Sequence, residues 1–308
     1  MLRGLLCSRG HGLNIRAMDI YLPIAEMTIP IEAILGLAVV VGFLSGVFGV
    51  GGGFLATPFL IFMGVPPAIA VGTQANQLVA SSSSGVLSHW NKGNVDVKMG
   101  FVMLSGSIFG SVVGVFVFRA FEGLGQIDTI IPILYVLILG FMGISMLSES
   151  VTALIKKKDD TASGNKFYYN AFFQALPYKM RFPRSRIYVS ALLPAGLGII
   201  GGLMVSVLGI GGGFLLVPAM IYILGMPPLL VVGTSLFQIM LSSIFATVMH
   251  AMTNHTVDFI LAFILIVGGV IGVQVGVRLS RYIKGVHGRI ILSVIFLLIC
   301  TKLAGDLF

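Results

Sequence analysis

Long stretches of this chain carry no lysine, arginine, aspartate or glutamate, and they limit the fold before anything else does. Ala33 to Phe48, Ala68 to Ser88, Met99 to Phe118, Thr129 to Leu147, Ile187 to Leu208, Leu229 to Met252 and Phe259 to Val277 are all of this kind. Apolar runs of about 20 residues have the length that crosses a bilayer as a helix. Only 10% of the 308 residues are charged, against roughly 25% in a soluble domain. The runs are continuously apolar, whereas barrel strands alternate. Backbone groups in hydrocarbon must pair within their own segment, so the runs are read as helices. A multi-pass integral membrane protein follows.

Two glycine clusters interrupt this background. "GVGGGFLATP", Gly49 to Pro58, aligns with "GIGGGFLLVP", Gly209 to Pro218, at seven identical positions of ten. The match continues from "GVPPAIAVGTQANQ" at Gly64 to "GMPPLLVVGTSLFQ" at Gly225. His89 then falls opposite His250, Asp96 opposite Asp258, and Gly106, Gly110 and Gly114 opposite Gly268, Gly272 and Gly276. The expected organisation is an N-terminal extension over 1–30, a first membrane repeat over 31–148, a linker over 149–186 and a second membrane repeat over 187–308.

Loop charge sets the orientation. Lys156, Lys157, Lys158, Lys166, Lys179, Arg181, Arg184 and Arg186 place the linker in the cytoplasm, and Arg278, Arg281, Lys284 and Arg289 place their loop there too. The counterpart of that loop, Arg119 to Asp128, lies one crossing from the linker and should face outside, so the copies are inverted. The expected fold class is all-α and integral to the membrane. It has two inverted repeats, each a glycine-broken helical hairpin plus about three spanning helices, with about eight to ten membrane segments in total. Met18 is a candidate start, which would make residues 1–17 an upstream extension, and the alternative that they belong to the protein stays open. Cys7 and Cys300 share no metal or redox spacing.

The glycine clusters carry the functional argument. The piece from Gly53 to Gly64 is about 18 Å long as a helix, too short for a hydrocarbon core of about 30 Å, so it should turn back as a hairpin. Backbone groups freed at membrane depth are tolerated only under protein or beside water. The amides and dipole at the start of a short helix favour an anion, and glycine admits it to the backbone. Gly49, Gly51, Gly52 and Gly53, with Gly209, Gly211, Gly212 and Gly213, are the candidate backbone ligands. Gly106, Gly110, Gly114 and their counterparts, spaced four apart, read as helix-packing positions.

Polar side chains follow each cluster. Thr73, Gln74 and Gln77, and in the second copy Thr234, Ser235 and Gln238, supply hydroxyl and amide donors suited to a tetrahedral or pyramidal oxyanion. Interhelical hydrogen bonding is the competing account. No lysine or arginine lies between Ala33 and Asn91 or between Tyr188 and Val277, so binding would rest on dipoles and neutral donors. His89 and His250, at matching helix ends, are candidates for proton coupling, with interfacial anchoring as the plainer role. Asp96 and Asp258 read as helix caps, and Arg119 and Arg278 as anchors of helix ends.

"GVGGGF" lacks the third glycine of a dinucleotide-binding motif, and no triad, metal cluster or P-loop is present, so no catalytic residue, metal or cofactor is expected. Loop bias accounts for much of the net charge of +8, and no nucleic-acid partner is expected. The expected partners are a small anion and the lipid bilayer, with a homo-oligomer left open.

The doubled "GVGGGFLATP" and "GIGGGFLLVP", each followed by a "PP…VGT" helix, resemble the sulfite exporter TauE/SafE family of bacterial and archaeal membrane proteins. "IYLPIAEM" near Asp19 and "LPYKMRFPRSRIYVS" in the linker also look like bacterial members, and the resemblance runs from Met18 onward. It implies a bacterial inner-membrane transporter that exports sulfite or an organosulfonate. An importer of a related anion such as thiosulfate, or an anion-selective channel, are the alternatives. Carried over by residue, it singles out the eight glycines above with Thr73, Gln77, Thr234 and Gln238. The copies differ at Gln74 against Ser235 and Asn76 against Phe237, so the implied site is asymmetric.

Overall fold

Each glycine cluster ends one helix and starts another. In the computed structural model, α1 (Ile31–Phe48) stops where Gly49 takes a φ of +69° and donates its N–H to the Ser45 carbonyl, a left-handed C-cap that glycine adopts without strain. From Gly52, also left-handed at +72°, α2 (Gly53–Phe62) sets off again. Its 10 residues reach only about 15 Å. The chain returns, because Gly64 packs against Met27, just before α1 begins. Then come α3 (Pro67–Trp90), α4 (Val97–Gly123) and α5 (Ile127–Lys156). The series repeats as α6 (Leu192–Leu208), α7 (Gly213–Tyr222), α8 (Pro228–Thr253), α9 (Phe259–Leu279) and α10 (Gly285–Leu307).

The structure describes residues 19–49, 51–156, 177–254, 256–280 and 285–307. The expectations for residues 1–17, Lys157, Lys158, Lys166, Arg281 and Lys284 lie outside these. Among the described residues, α1, α4, α5, α8, α9 and α10 are long and apolar enough to cross a membrane. α3 has the length, at 24 residues, but its glutamines and serines lower its hydropathy.

Two small antiparallel hairpins add to the helical expectation. β1 (Asp19–Leu22) pairs with β2 (Met27–Pro30), and β3 (Lys179–Phe182) with β4 (Ile187–Ser190). Both turn through a left-handed residue at the same place, Glu26 and Arg186, each with a φ of 53°. The apolar run Ile187 to Leu208 is therefore not one helix. Ile187, Tyr188 and Val189 favour extended backbone, and α6 begins only at Leu192.

Packing interleaves the two series. α1 lies along α9, and α6 along α4, at backbone contact: a Cβ on Gly42 would stand 2.2 Å from the Gly269 carbonyl oxygen, and one on Gly106 1.9 Å from that of Ala195. Gly110, Gly272 and Gly276 meet a carbonyl of the facing helix in the same way, and Gly114 and Gly268 meet the Cβ atoms of Ser206 and Ala38, so these are packing glycines. α3 and α8 pack antiparallel. The start of α3 lies at the α8–α9 junction, with Gly72 on Thr256, and the start of α8 at the α3–α4 junction, with Gly233 on Asn94. α5 pairs with α10, and Tyr135 and Phe296 from that pair close over Phe54 and Phe214 of the short helices.

Candidate functional site

The two breaks meet at the centre of the bundle. A Cβ on Gly53 would stand 2.3 Å from the Gly209 carbonyl oxygen, and one on Gly211 3.5 Å from Cα of Gly51, with Leu78 and Ile239 flanking both. All eight candidate glycines are buried. Gly49 rests on Val232, Gly52 on Val41 and Ser45, Gly209 on Val71, and Gly212 on Gly201. Neither α2 nor α7 has a side chain capping its N-terminus, so the positive ends of both dipoles face this centre. Side chains do cap the helix ends that arrive there. Tyr135 donates to the Leu208 carbonyl at 2.6 Å, His250 to the Ser206 carbonyl at 2.8 Å, and Ser235 to the Gly49 carbonyl at 3.2 Å.

The threonines turn outward from the breaks to hold the frame. Thr73 Oγ1 accepts the backbone N–H of Asp258 at 3.0 Å, and Thr234 Oγ1 that of Asp96 at 2.9 Å. Both aspartates are helix caps, as expected: Asp96 accepts from Met99 at 3.1 Å, and Asp258 from Ile260 and Leu261 at 3.0 and 3.1 Å. Their second carboxylate oxygens hold the strand hairpins. Asp258 accepts from the Ile24 amide at 3.0 Å, and Asp96 from the Ser185 amide at 3.1 Å and its hydroxyl at 2.5 Å.

The glutamines stay inside. Gln238 Nε2 donates to Ser107 at 3.1 Å and to Ser242 at 3.4 Å. Gln74 donates to Gln77, while Gln74 Oε1, Gln77 Nε2 and Gln238 Oε1 are buried without a partner. The sequence-matched histidines differ. His250 Nε2 faces the Ser206 carbonyl, so it carries the proton, and Nδ1 meets the Asn254 amide at 3.1 Å. Both ring nitrogens of His89 are unpartnered. Among the described residues no cluster of metal-ligating side chains forms.

Charge divides the bundle's ends. Lys92, Lys98, Lys179, Arg181, Arg184, Arg186, Arg278 and Arg289 gather with Glu149 at the Asp96 end, and Asp19, Glu26, Glu32, Glu122, Asp128 and Asp306 with Arg119 and Lys302 at the Asp258 end. A largely apolar cavity of about 540 Å³ runs from Phe48 and Phe214, beside the breaks, to Glu149 and Arg289 at the Asp96 end. Those two form an ion pair at 3.5 Å, and Tyr222 also donates to Glu149. Sequence reasoning placed Glu149 in the linker and Arg289 in a loop. Their pairing depends on the α5–α10 contact, which no local pattern announces.

A family model described as "Sulfite exporter TauE/SafE" matches residues 34–303. The chain is 28% identical over 288 residues to the "Probable membrane transporter protein YunE" of Bacillus subtilis, covering 90% of this chain and 97% of that protein. It is 28% identical over 248 residues to the "Probable membrane transporter protein YjnA" of the same organism, covering 80% and 89%. It is 25% identical over 285 residues to the "Probable membrane transporter protein MJ0441" of Methanocaldococcus jannaschii, covering 87% and 92%. No solved structure matches it.

Proposed function

This chain belongs to the sulfite exporter TauE/SafE family and is a multi-pass membrane transporter, and on that premise we propose that it exports a small sulfur-containing anion, sulfite or an organosulfonate. The observation that carries this reading is the meeting of two uncapped short helices at the bundle centre, beside buried amides. The amides of Gly51, Gly52, Gly211, Gly212 and Gly213, with the Gln74–Gln77 pair, are the proposed ligands; that of Gly53 is taken by the Gly51 carbonyl at 2.9 Å. A helix dipole contributes about 0.3–1 kcal/mol and a typical hydrogen bond about 0.5–1.5 kcal/mol net. A few of each give binding that is selective but still reversible, as transport requires.

The proposed architecture is two inverted copies, each beginning with its strand hairpin, at residues 19 and 179. The antiparallel run of α3 and α8 supports this. So does the recurrence of the Thr73–Asp258 bond at one end as Thr234–Asp96 at the other. The cationic Asp96 end is read as cytoplasmic, which makes the cavity toward Arg289 the inward path. Thermal unfolding of the purified protein across sulfite, thiosulfate, sulfate, taurine and chloride at matched ionic strength tests the cargo. A ligand that binds only the folded state raises the melting temperature with its concentration. Sulfite or taurine should act selectively. A folded protein that no sulfur anion stabilises, and that moves none in proteoliposomes, overturns the reading.

A further inference from the structure

The two copies treat their matched glutamines differently. Gln238 has its amide nitrogen held by Ser107 of α4 and Ser242 of its own helix, and only its Oε1 is without a partner, so it offers no free donor. In the aligned copy, glycine replaces Ser107: Gly106 matches Gly268, so Ser107 matches Gly269. The Gln77 nitrogen lies against that glycine, and a Cβ there would stand 2.6 Å from it. Ser81, the counterpart of Ser242, donates to the Leu78 carbonyl at 3.4 Å as Ser242 does to that of Ile239 at 3.1 Å, but unlike Ser242 it accepts nothing from its glutamine. Gln77 therefore lacks both hydroxyls that fix its counterpart, although it is only 1% exposed. Its one bond runs to Gln74, where the other copy has Ser235, whose hydroxyl lies between the Val232 and Gly49 carbonyls at 3.0 and 3.2 Å.

Two glutamines joined by a single N–H···O bond leave one free carbonyl and one free NH2 group, whichever way round the amides are set. Buried polar groups are rarely left unpaired, and each such exception calls for a cause. This pair calls for a small ligand that donates and accepts at once. We infer that Gln74–Gln77 is the substrate point of the bundle, that Gln238 is framework, and that the species bound is a singly protonated oxyanion such as hydrogen sulfite. Its O–H donates to the free carbonyl, and a second oxygen accepts from the free NH2. A sulfonate without an O–H satisfies the NH2 alone and sets a negative oxygen against the carbonyl. The inference rests on the sulfur-anion reading above.

The test follows melting temperature of the purified full chain against sulfite and against methanesulfonate. The pH is acid enough for sulfite to be singly protonated, so both probes carry one negative charge. Wild type should respond to sulfite at concentrations about tenfold below those of methanesulfonate, the worth of one hydrogen bond. Gly269→Ser restores the missing hydroxyl beside Gln77 and meets only the end of that flexible side chain, so it should fold. It should raise the sulfite concentration required by about tenfold or more, whereas Ser107→Ala should leave it unchanged. Gln77→Met keeps the length, folds without a buried amide, and should lose the response. A Gly269→Ser protein with the wild-type response, or equal action of the two anions, overturns the inference alone. A wild type that responds to neither overturns the inference, and one that in addition moves no sulfur anion in proteoliposomes overturns the sulfur-anion reading as well.

Discussion

Thr73 accepts a hydrogen bond from the backbone of Asp258, a residue 185 positions further along the chain, at 3.0 Å. Thr234 does the same for Asp96 at 2.9 Å, at the other end of the bundle. Each threonine thereby fixes a helix start that itself anchors a strand hairpin. Thr73→Val or Thr234→Val leaves a buried N–H without a partner, at a cost of about 1–3 kcal/mol. The melting temperature should fall while the anion concentration for half-maximal stabilisation stays constant, and Thr73→Ser should recover most of the loss. A Thr73→Val protein that melts normally but no longer responds to anion would return Thr73 to the binding site.

Glycines that look alike in sequence should divide sharply on substitution. Gly106→Ala and Gly110→Ala drive a methyl group to 1.9 and 2.1 Å from carbonyl oxygens of α6, and should abolish accumulation of folded protein. Gly196, on α6 itself, has nothing within 4 Å of its Cβ position. Gly196→Ala should be neutral or stabilising by up to about 1 kcal/mol, through helix propensity. Size-exclusion profiles and melting curves of the variants check this. Similar behaviour of Gly106→Ala and Gly196→Ala would contradict the backbone contact between α4 and α6.

His250 should behave as a structural residue. It caps the Ser206 carbonyl, one of the last four of α6 and so without a helical donor. Phe118 stacks edge-on against its ring, with centroids 4.9 Å apart. His250→Leu should lower stability by about 1–3 kcal/mol and leave the shape of the pH profile of transport unchanged. A profile that flattens in His250→Leu but survives His89→Leu would identify His250 as a proton carrier.

How far the sequence reached depends on where each partner lies. The helix breaks, the returning short helices, the caps at Asp96 and Asp258 and the packing glycines rest on local spacing, and all were legible. The strand hairpins were not, because "DIYLPIAEMTIP" and "KMRFPRSRIYVS" share only Pro23 and Pro183 at equivalent positions. Their likeness lies in backbone register. Thr73 and Thr234 looked like ligands because their partners belong to the other helix series, and no pattern within one copy shows that the copies interlock. The exchange of Ser107 for Gly269 was visible in the alignment. It gained meaning only once the structure set those residues beside Gln238 and Gln77.

Orientation can be read from the cavity. Ser145 lines it on the Glu149–Arg289 side. In a background lacking Cys7 and Cys300, Ser145→Cys should react with a membrane-impermeant thiol reagent in inside-out vesicles, and at least about tenfold faster than in right-side-out ones. The reverse preference would invert the assigned topology.

The interleaving of α1 with α9 also fixes an order of events at the ribosome. Gly42 has no partner until Gly269 emerges, 227 residues later (269 − 42). At about 5–20 residues per second that is a wait of roughly ten to forty-five seconds. From the synthesis of α3 until α8 emerges, the serines and glutamines of α3 sit in lipid or at the translocon without the helices that will bury them. A chain stopped in the joining segment therefore has no stable resting form of its own. The first five helices are a precursor that quality-control proteases can recognise by its exposed polar face.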